Sequence, residues 1–279
     1  MASTNTAACG ATPTGGTGYT YNGAGDLTAT SASSLSAVAY SAFDQMSSTT
    51  ASGTATSYGY SDTTSDQRTT SGTSSYANGL LGLTRETAGS TTTEYIRDPS
   101  GTLLAMNRDG TISFYTEDVL GSVILLTSTT GAIAASYTYD TWGNTSSSVT
   151  GVAAQNPWRY ASGYTDATGL IKFGTRYYNP TWGRFTQQDP TGQETNAYDY
   201  VNCNPVNGVD ASGRGSSCVG EILSGIAGFV GLTAGVIAEI TLGPETGGAT
   251  ILALALEGEA VAAGYGGSAF LIADGIRTC

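Results

Sequence analysis

Between residues 19 and 150 apolar and polar positions alternate in short runs, such as Leu103-Leu-Ala-Met-Asn-Arg108, and turn-forming residues break each run. A period of two places side chains on opposite faces of a strand. The interruptions follow one pattern, Tyr-x-x-(Asp/Asn)-x-x-Gly. It reads Tyr19-Thr-Tyr-Asn22-Gly-Ala-Gly25, Tyr95-Ile-Arg-Asp98-Pro-Ser-Gly101, Tyr115-Thr-Glu-Asp118-Val-Leu-Gly121 and Tyr137-Thr-Tyr-Asp140-Thr-Trp-Gly143. Degenerate copies start at Tyr40, Tyr58 and Tyr76, which puts the seven starts 21, 18, 18, 19, 20 and 22 residues apart. Asp and Asn bond their own backbone in turns, and Gly accepts the positive φ of a tight reversal. Each unit therefore predicts two strands and a turn, and seven units predict some fourteen strands of antiparallel sheet. An irregular Ser/Thr-rich segment fits residues 1–18 and is the competing reading for 46–75.

The pattern changes after residue 150. From Trp158 to Gly213 aromatics and arginines interleave, and Pro180, Pro190 and Pro205 punctuate the run, which predicts short strands and turns, not long helices. From 219 to 273 the chain is rich in Gly, Ala, Val, Ile and Leu with five glutamates, and residues 222–238 carry no charge. Two helices, 219–241 and 249–273, are predicted, broken at Gly243-Pro244. They fit either a buried soluble hairpin or a membrane-inserting one, with Ala227, Gly231 and Gly235 as a close-packing face.

Composition narrows the chemistry. The 279 residues contain no histidine, ten basic and 22 acidic residues, for a net charge of −12. With the basic residues dispersed, nucleic acid is not an expected partner. A Ser-His-Asp triad, a Cys-His pair and a His-bearing zinc site are excluded. Cys9, Cys203, Cys218 and Cys279 form no CxxC pair, so no metal or other cofactor is expected; Cys218 and Cys279 bracket the tail and are candidates for a disulfide. The even cysteine count fits an oxidising, extracellular setting. The opening MASTNTAACG lacks a signal-peptide pattern, so either export works without one or the chain is the C-terminal piece of a longer one.

The tyrosine/aspartate units resemble YD repeats, and residues 115–213 are similar to the Rhs repeat-associated core domain. The stretches that carry this are Asp118-Val-Leu-Gly-Ser122, Tyr139-Asp-Thr-Trp-Gly-Asn144, Asn156-Pro-Trp-Arg-Tyr160, Gly163-Tyr-Thr-Asp-Ala-Thr-Gly-Leu170 and Arg176-Tyr-Tyr-Asn-Pro180. Gly183-Arg-Phe185, Gln188-Asp-Pro-Thr-Gly192, Tyr198-Asp-Tyr-Val-Asn202, Asn204-Pro-Val-Asn207 and Asp210-Ala-Ser-Gly213 complete the series. The resemblance implies a mainly β fold: an antiparallel YD-repeat sheet (19–150) forming a partial shell, a core domain (151–213) plugging one end, and a variable apolar helical tail (214–279). It also implies a secreted or cell-surface protein whose tail is a toxin used in competition between bacteria. Seven units are few for a shell that encloses a domain. Open edges would remain, at which another chain or an immunity protein could pair.

In such cores two aspartates of paired Asp-Pro-x-Gly motifs cut the chain just before the tail. The matching positions are Asp189 and Asp210, with the cut near Gly213 and Arg214 and with Arg159, Arg176 and Arg184 as supporting residues. Two carboxylates that share a proton supply the chemistry, one activating water and the other polarising the scissile carbonyl. Ala211 replaces the second motif's proline, and Arg214 stands where an apolar residue is usual. Both aspartates also fit ordinary β-turns. The three arginines fit stacking and ion-pairing roles, and the repeat tyrosines fit cross-strand packing. The leading function is thus a scaffold that carries, and releases by autoproteolysis, a membrane-active segment (219–273). The rivals are a structural or adhesive surface protein and a self-cleaving aspartyl enzyme.

Overall fold

One turn, built the same way each time, punctuates the chain. At Asp98, Asp118 and Asp140 the Oδ1 atom accepts the backbone N–H groups of the residues two and four positions on, at 2.8–2.9 Å. The aspartate's own N–H donates to the carbonyl at the fourth position, and its carbonyl accepts from the glycine at the third. That glycine must sit at positive φ: +94° at Gly101, +78° at Gly121, +90° at Gly143. Asn22 does the same with Gly25. Ser41 and Ser128 replace the carboxylate with a hydroxyl, and their bonds are longer, 3.2–3.4 Å. The Ser100 hydroxyl, followed by backbone donors, holds the Asp98 carboxyl below its usual range.

The structure, a computed structural model, describes residues 16–31, 35–61, 67–192, 196–215 and 217–218. Strands β1 (Tyr19–Tyr21) and β2 (Leu27–Thr30) form a hairpin across the Asn22 turn. Twelve strands follow as one antiparallel meander in chain order. They are β3 (Leu35–Tyr40), β4 (Met46–Ala51), β5 (Thr54–Tyr60), β6 (Arg68–Ser71), β7 (Ser74–Gly79) and β8 (Gly82–Ala88). Then come β9 (Thr91–Arg97), β10 (Leu103–Arg108), β11 (Thr111–Glu117), β12 (Val123–Ser128), β13 (Ile133–Tyr139) and β14 (Thr145–Val149). The fourteen strands agree with two per unit. The sheet is not closed, with β3 and β14 at its edges.

The segment 151–213 is less regular than a continuous sheet. A four-stranded meander, β15 (Tyr164–Thr165), β16 (Ile171–Phe173), β17 (Arg176–Asn179) and β18 (Arg184–Phe185), is flanked by 3₁₀ turns at 151–155, 160–162 and 201–203. β19 (Gly208–Val209) pairs with β20 (Ser217–Cys218). Prolines at 157, 180, 190 and 205 remove ladder donors, which keeps these strands short. The predicted tail helices, the Cys218–Cys279 pairing and the irregular segment 1–15 lie outside the described residues.

Alternation along the strands divides the large sheet into two faces. Tyr95, Leu103, Met106, Val123, Leu126 and Tyr137 are buried on one, while Ile96, Leu104, Phe114 and Ile124 are exposed on the other. The buried face is covered by the 151–213 segment, whose own core is Tyr160, Ile171, Phe173, Tyr178, Phe185 and Tyr200. The repeat tyrosines do not pair with one another across strands. They meet aromatics of the core segment: Tyr58 with Tyr177, Tyr76 with Tyr164, Tyr95 with Trp158 and Tyr139 with Tyr160, at centroid distances of 5.7–5.9 Å. Such pairs contribute about 0.5–1.5 kcal/mol each beyond their buried area. Arg68 on β6 completes the joint. Its Nη1 donates to Asp166 at 2.7 Å and to the Tyr177 hydroxyl, and its guanidinium lies among the rings of Tyr58, Tyr76 and Tyr164.

Two glycine substitutions separate backbone from packing. Gly101→Ala meets open space, so it should lose only the positive-φ preference, about 1–2 kcal/mol. A Cβ at Gly143 would stand 2.5 Å from the Tyr160 ring, so Gly143→Ala should lose about 1–3 kcal/mol more. Urea denaturation of the two variants measures the difference.

Candidate functional site

Asp189 and Asp210 each open an Asp-x-x-Gly sequence whose glycine N–H returns to the aspartate carbonyl, but at buried positions and with other partners for the rest of the turn. At Asp189, Oδ1 accepts the Thr191 N–H at 3.0 Å and the carbonyl accepts from Gly192. At Asp210, Oδ1 accepts the N–H groups of Arg214 and Gly215 and the Ser212 hydroxyl, each at 3.1 Å. Its Oδ2 accepts Arg176 Nη2 at 2.9 Å, in an ion pair whose side chains are each 1% exposed. Burial pushes the Asp210 carboxyl above its ordinary value of 3.8, against the opposing pull of Arg176 and of the Gly215 and Arg214 N–H groups.

Arg176 holds the site together. It enters from β17 and stacks on the Phe185 ring at 3.6 Å, which helps to orient its fork. Besides Asp210 it donates from Nε to the Gly213 carbonyl at 2.6 Å and from Nη1 to the Ala197 carbonyl at 3.2 Å. The same Ala197 carbonyl accepts the Asp189 N–H, so one carbonyl joins the Asp189 turn to the arginine that pairs with Asp210. Thr175 Oγ1 also donates to Gly213. Gly213, at φ +64°, fits against the backbone of Phe173 and Arg176 where a Cβ has no room.

A second bridge runs through Thr191. Its Oγ1 lies 2.9 and 2.7 Å from the two Asp189 oxygens and 3.1 Å from the Arg214 carbonyl oxygen. The structure thus brings Asp189, Asp210, Arg176, Gly213 and Arg214 into one cluster around the Arg214–Gly215 peptide. The other two arginines stand elsewhere: Arg159 over the Tyr137 ring with its Nε on the Asn156 carbonyl, and Arg184 over Tyr198. Thr191 and Ala197 were not visible as site members from the sequence. The one available signal was the hydroxyl inside Asp-Pro-Thr-Gly. Among the described residues no group of three metal-ligating side chains is gathered.

The family model of the teneurin YD-shell matches residues 83–206, a stretch that takes in the last strands of the meander and most of the core segment. Over those residues the chain is similar to the YD-repeat shell family. A tRNA3(Ser)-specific nuclease, WapA, of Bacillus spizizenii is 36% identical over 131 residues, 44% of this chain and 6% of that protein. Double-stranded DNA deaminase toxin A of Burkholderia cenocepacia is 35% identical over 116 residues, 39% of this chain and 8% of that protein. The crystal structure of TcdB2-TccC3-TEV superposes with a TM-score of 0.51 at 18% identity, over 63% of this chain and 10% of that one, a likeness of fold. The chain therefore spans under a tenth of the length of these two relatives. The family match ends at residue 206, before the tail, so it speaks for the YD-repeat scaffold and leaves the tail's activity to other arguments.

The ion pair yields a stability prediction. Arg176→Met leaves Asp210 buried without its guanidinium and strips donors from Gly213 and Ala197, and should cost about 3–5 kcal/mol. Arg184→Met gives up a stack on a partly exposed ring and should cost about 0.5–1 kcal/mol. Equilibrium unfolding of both variants tests the contrast.

Proposed function

We propose that this chain is the closing end of an Rhs-type shell, secreted or displayed at a cell surface, that carries the segment after Arg214 as an effector against other bacteria. On this reading the core segment is the plug, and it releases the effector by cutting its own Arg214–Gly215 bond. The observation that carries the proposal is the placement of that peptide. Its N–H donates to Asp210 Oδ1, and its carbonyl faces the turn that holds Asp189. In a chain without histidine, two carboxylates are the available acid–base pair near neutral pH. The Asp210 carboxylate, beside the leaving nitrogen, takes a proton from water and returns it to the amine. Asp189 supports the carbonyl oxygen. The toxin named in one relative's description and the nuclease named in the other support the carrier role, while the chemistry of those cargoes stays with those proteins.

The released segment is assigned to membranes on composition. Residues 222–238 are uncharged, and residues 215–276 contain neither Lys nor Arg, so insertion would rest on apolar burial. The edges at β3 and β14 are where a further strand or another chain, an immunity protein included, would add.

Intact-mass measurement of the purified full chain tests the cut. Wild type should yield a fragment beginning at Gly215, and Asp189→Asn and Asp210→Asn should each remain whole. A wild-type chain that stays whole on long incubation would leave a structural or adhesive scaffold as the reading. Dye leakage from vesicles of anionic and zwitterionic lipid, with cleaved wild type against the Asp189→Asn chain, tests the membrane assignment. Equal, absent leakage overturns it.

A further inference from the structure

We propose that the turn of the first repeat, Asn22–Gly25, positions the loop that carries Asp189, so that the tail is cut once that repeat has docked on the core segment. This rests on the self-cleavage reading and names the regulation of the same site. The two aspartates are held in different ways. Asp210 is fixed by near neighbours, the Ser212 hydroxyl and the N–H groups of Arg214 and Gly215, and by Arg176 of β17. All of these lie within residues 176–215. Asp189 sits in a loop whose two arms are tied together at three levels. Arg184 bridges to Asp199, Phe185 N–H donates to the Tyr198 carbonyl at 2.9 Å, and Asp189 N–H donates to the Ala197 carbonyl at 2.7 Å.

The first repeat lies against both arms of that loop. On one arm, Leu27 N–H donates to the Thr186 carbonyl at 2.8 Å. On the other, the Tyr198 hydroxyl donates to the Gly25 carbonyl at 2.6 Å, and the Tyr198 ring meets Tyr21 at a centroid distance of 5.4 Å. A Cβ on Gly25 would run into the side chain of Gln188, the residue before Asp189. Tyr198 is therefore a positioning residue. The Gly25 turn fixes it, and its neighbour Ala197 presents the carbonyl that receives Asp189 and Arg176. Gly25 and Tyr198 are 173 residues apart. Contacts so distant in sequence carry a larger loop-closure cost than local ones and are slow to form. The Asp210 half of the site can thus assemble within the core, whereas the Asp189 half is completed by a repeat far earlier in the chain. Cutting is thereby linked to the docked state of the β1–β2 hairpin.

The test is the rate at which the Gly215-initiated fragment appears from the full chain, measured well below each variant's melting temperature. Gly25 and Gly101 close the same turn at φ +88° and +94°, so valine strains the backbone alike at both. Nothing lies within 4 Å of a Cβ at Gly101. Gly25→Val should slow the cut by about 10²-fold, the cost of a reacting group displaced by an ångström, while Gly101→Val keeps the wild-type rate. Gly25→Asn, a residue type that tolerates the left-handed region, should recover most of the rate. Tyr198→Phe, which removes the hydroxyl alone, should slow the cut by about 2- to 10-fold, roughly what one hydrogen bond is worth. Tyr139→Phe, which removes a like bond to the Val123 carbonyl, should not slow it. If Gly25→Val does not fold, the two phenylalanine variants decide the matter. Equal rates within each pair overturn the positioning role and leave self-cleavage standing. An intact wild type overturns both.

Discussion

The fold depends on a single side-chain oxygen that receives two backbone N–H groups. In the Asp-x-x-Gly turn the carboxylate replaces the backbone partners that a reversing chain loses, and glycine supplies the positive φ that closes it. Because the unit is satisfied by its own five residues, it can be repeated without regard to what lies on either side. A chain made of such turns and short alternating runs becomes a meander. A meander of twelve strands has two edges and one apolar face that it cannot cover by itself. The architecture therefore calls for a second element, and residues 151–213 meet that need.

The joint between sheet and core segment is aromatic, with one charged pair at its centre. Four repeats send a tyrosine to the same face, because each tyrosine sits an odd number of residues before its turn, three at Tyr95 and one at Tyr139. The core segment presents Tyr177, Tyr164, Trp158 and Tyr160 in matching order. Arg68 and Asp166, both nearly inaccessible to water, are its ion pair among the described residues, and the rings around the guanidinium offset part of its lost hydration. Asp166 is itself the first residue of an Asp-x-x-Gly turn closed by Gly169. The turn that ends strands on the surface thus becomes, once buried, a way of holding a carboxylate in place for an arginine.

That reuse explains what was legible in the sequence. The turns at Asp98, Asp118 and Asp140, and the fourteen strands between Tyr19 and Val149, follow from local chemistry with a fixed spacing, so they could be read directly. The partner of a side chain 98 residues away could not, and Arg68–Asp166 left no trace in spacing. The repeat tyrosines were identifiable as packing residues, but their direction was not: a period of two says which residues share a face, and not what covers it. At the site, the resemblance pointed to Asp189 and Asp210. What each carboxylate touches depends on Arg176, which the resemblance also named, and on Thr191, a residue ordinary in any turn.

On the self-cleavage proposal, the choice of bond would follow from how the chain leaves the core. Gly213 is held on every side: its carbonyl accepts from Thr175 Oγ1 and Arg176 Nε, its N–H reaches the Asp210 carbonyl, and its Cα lies against the backbone of Phe173 and Arg176. One residue later the pattern changes, and the Arg214–Gly215 peptide meets side chains at both ends, Thr191 at oxygen and Asp210 at nitrogen. A peptide held this way has lost much of the rotational freedom that would otherwise oppose reaction, because the residue before it is fixed to the core. The side chain of Arg214 takes no part in this argument, since both contacts are to backbone atoms. A basic residue at position 214 is therefore compatible with the same geometry, and on that proposal the position of the turn would select the bond.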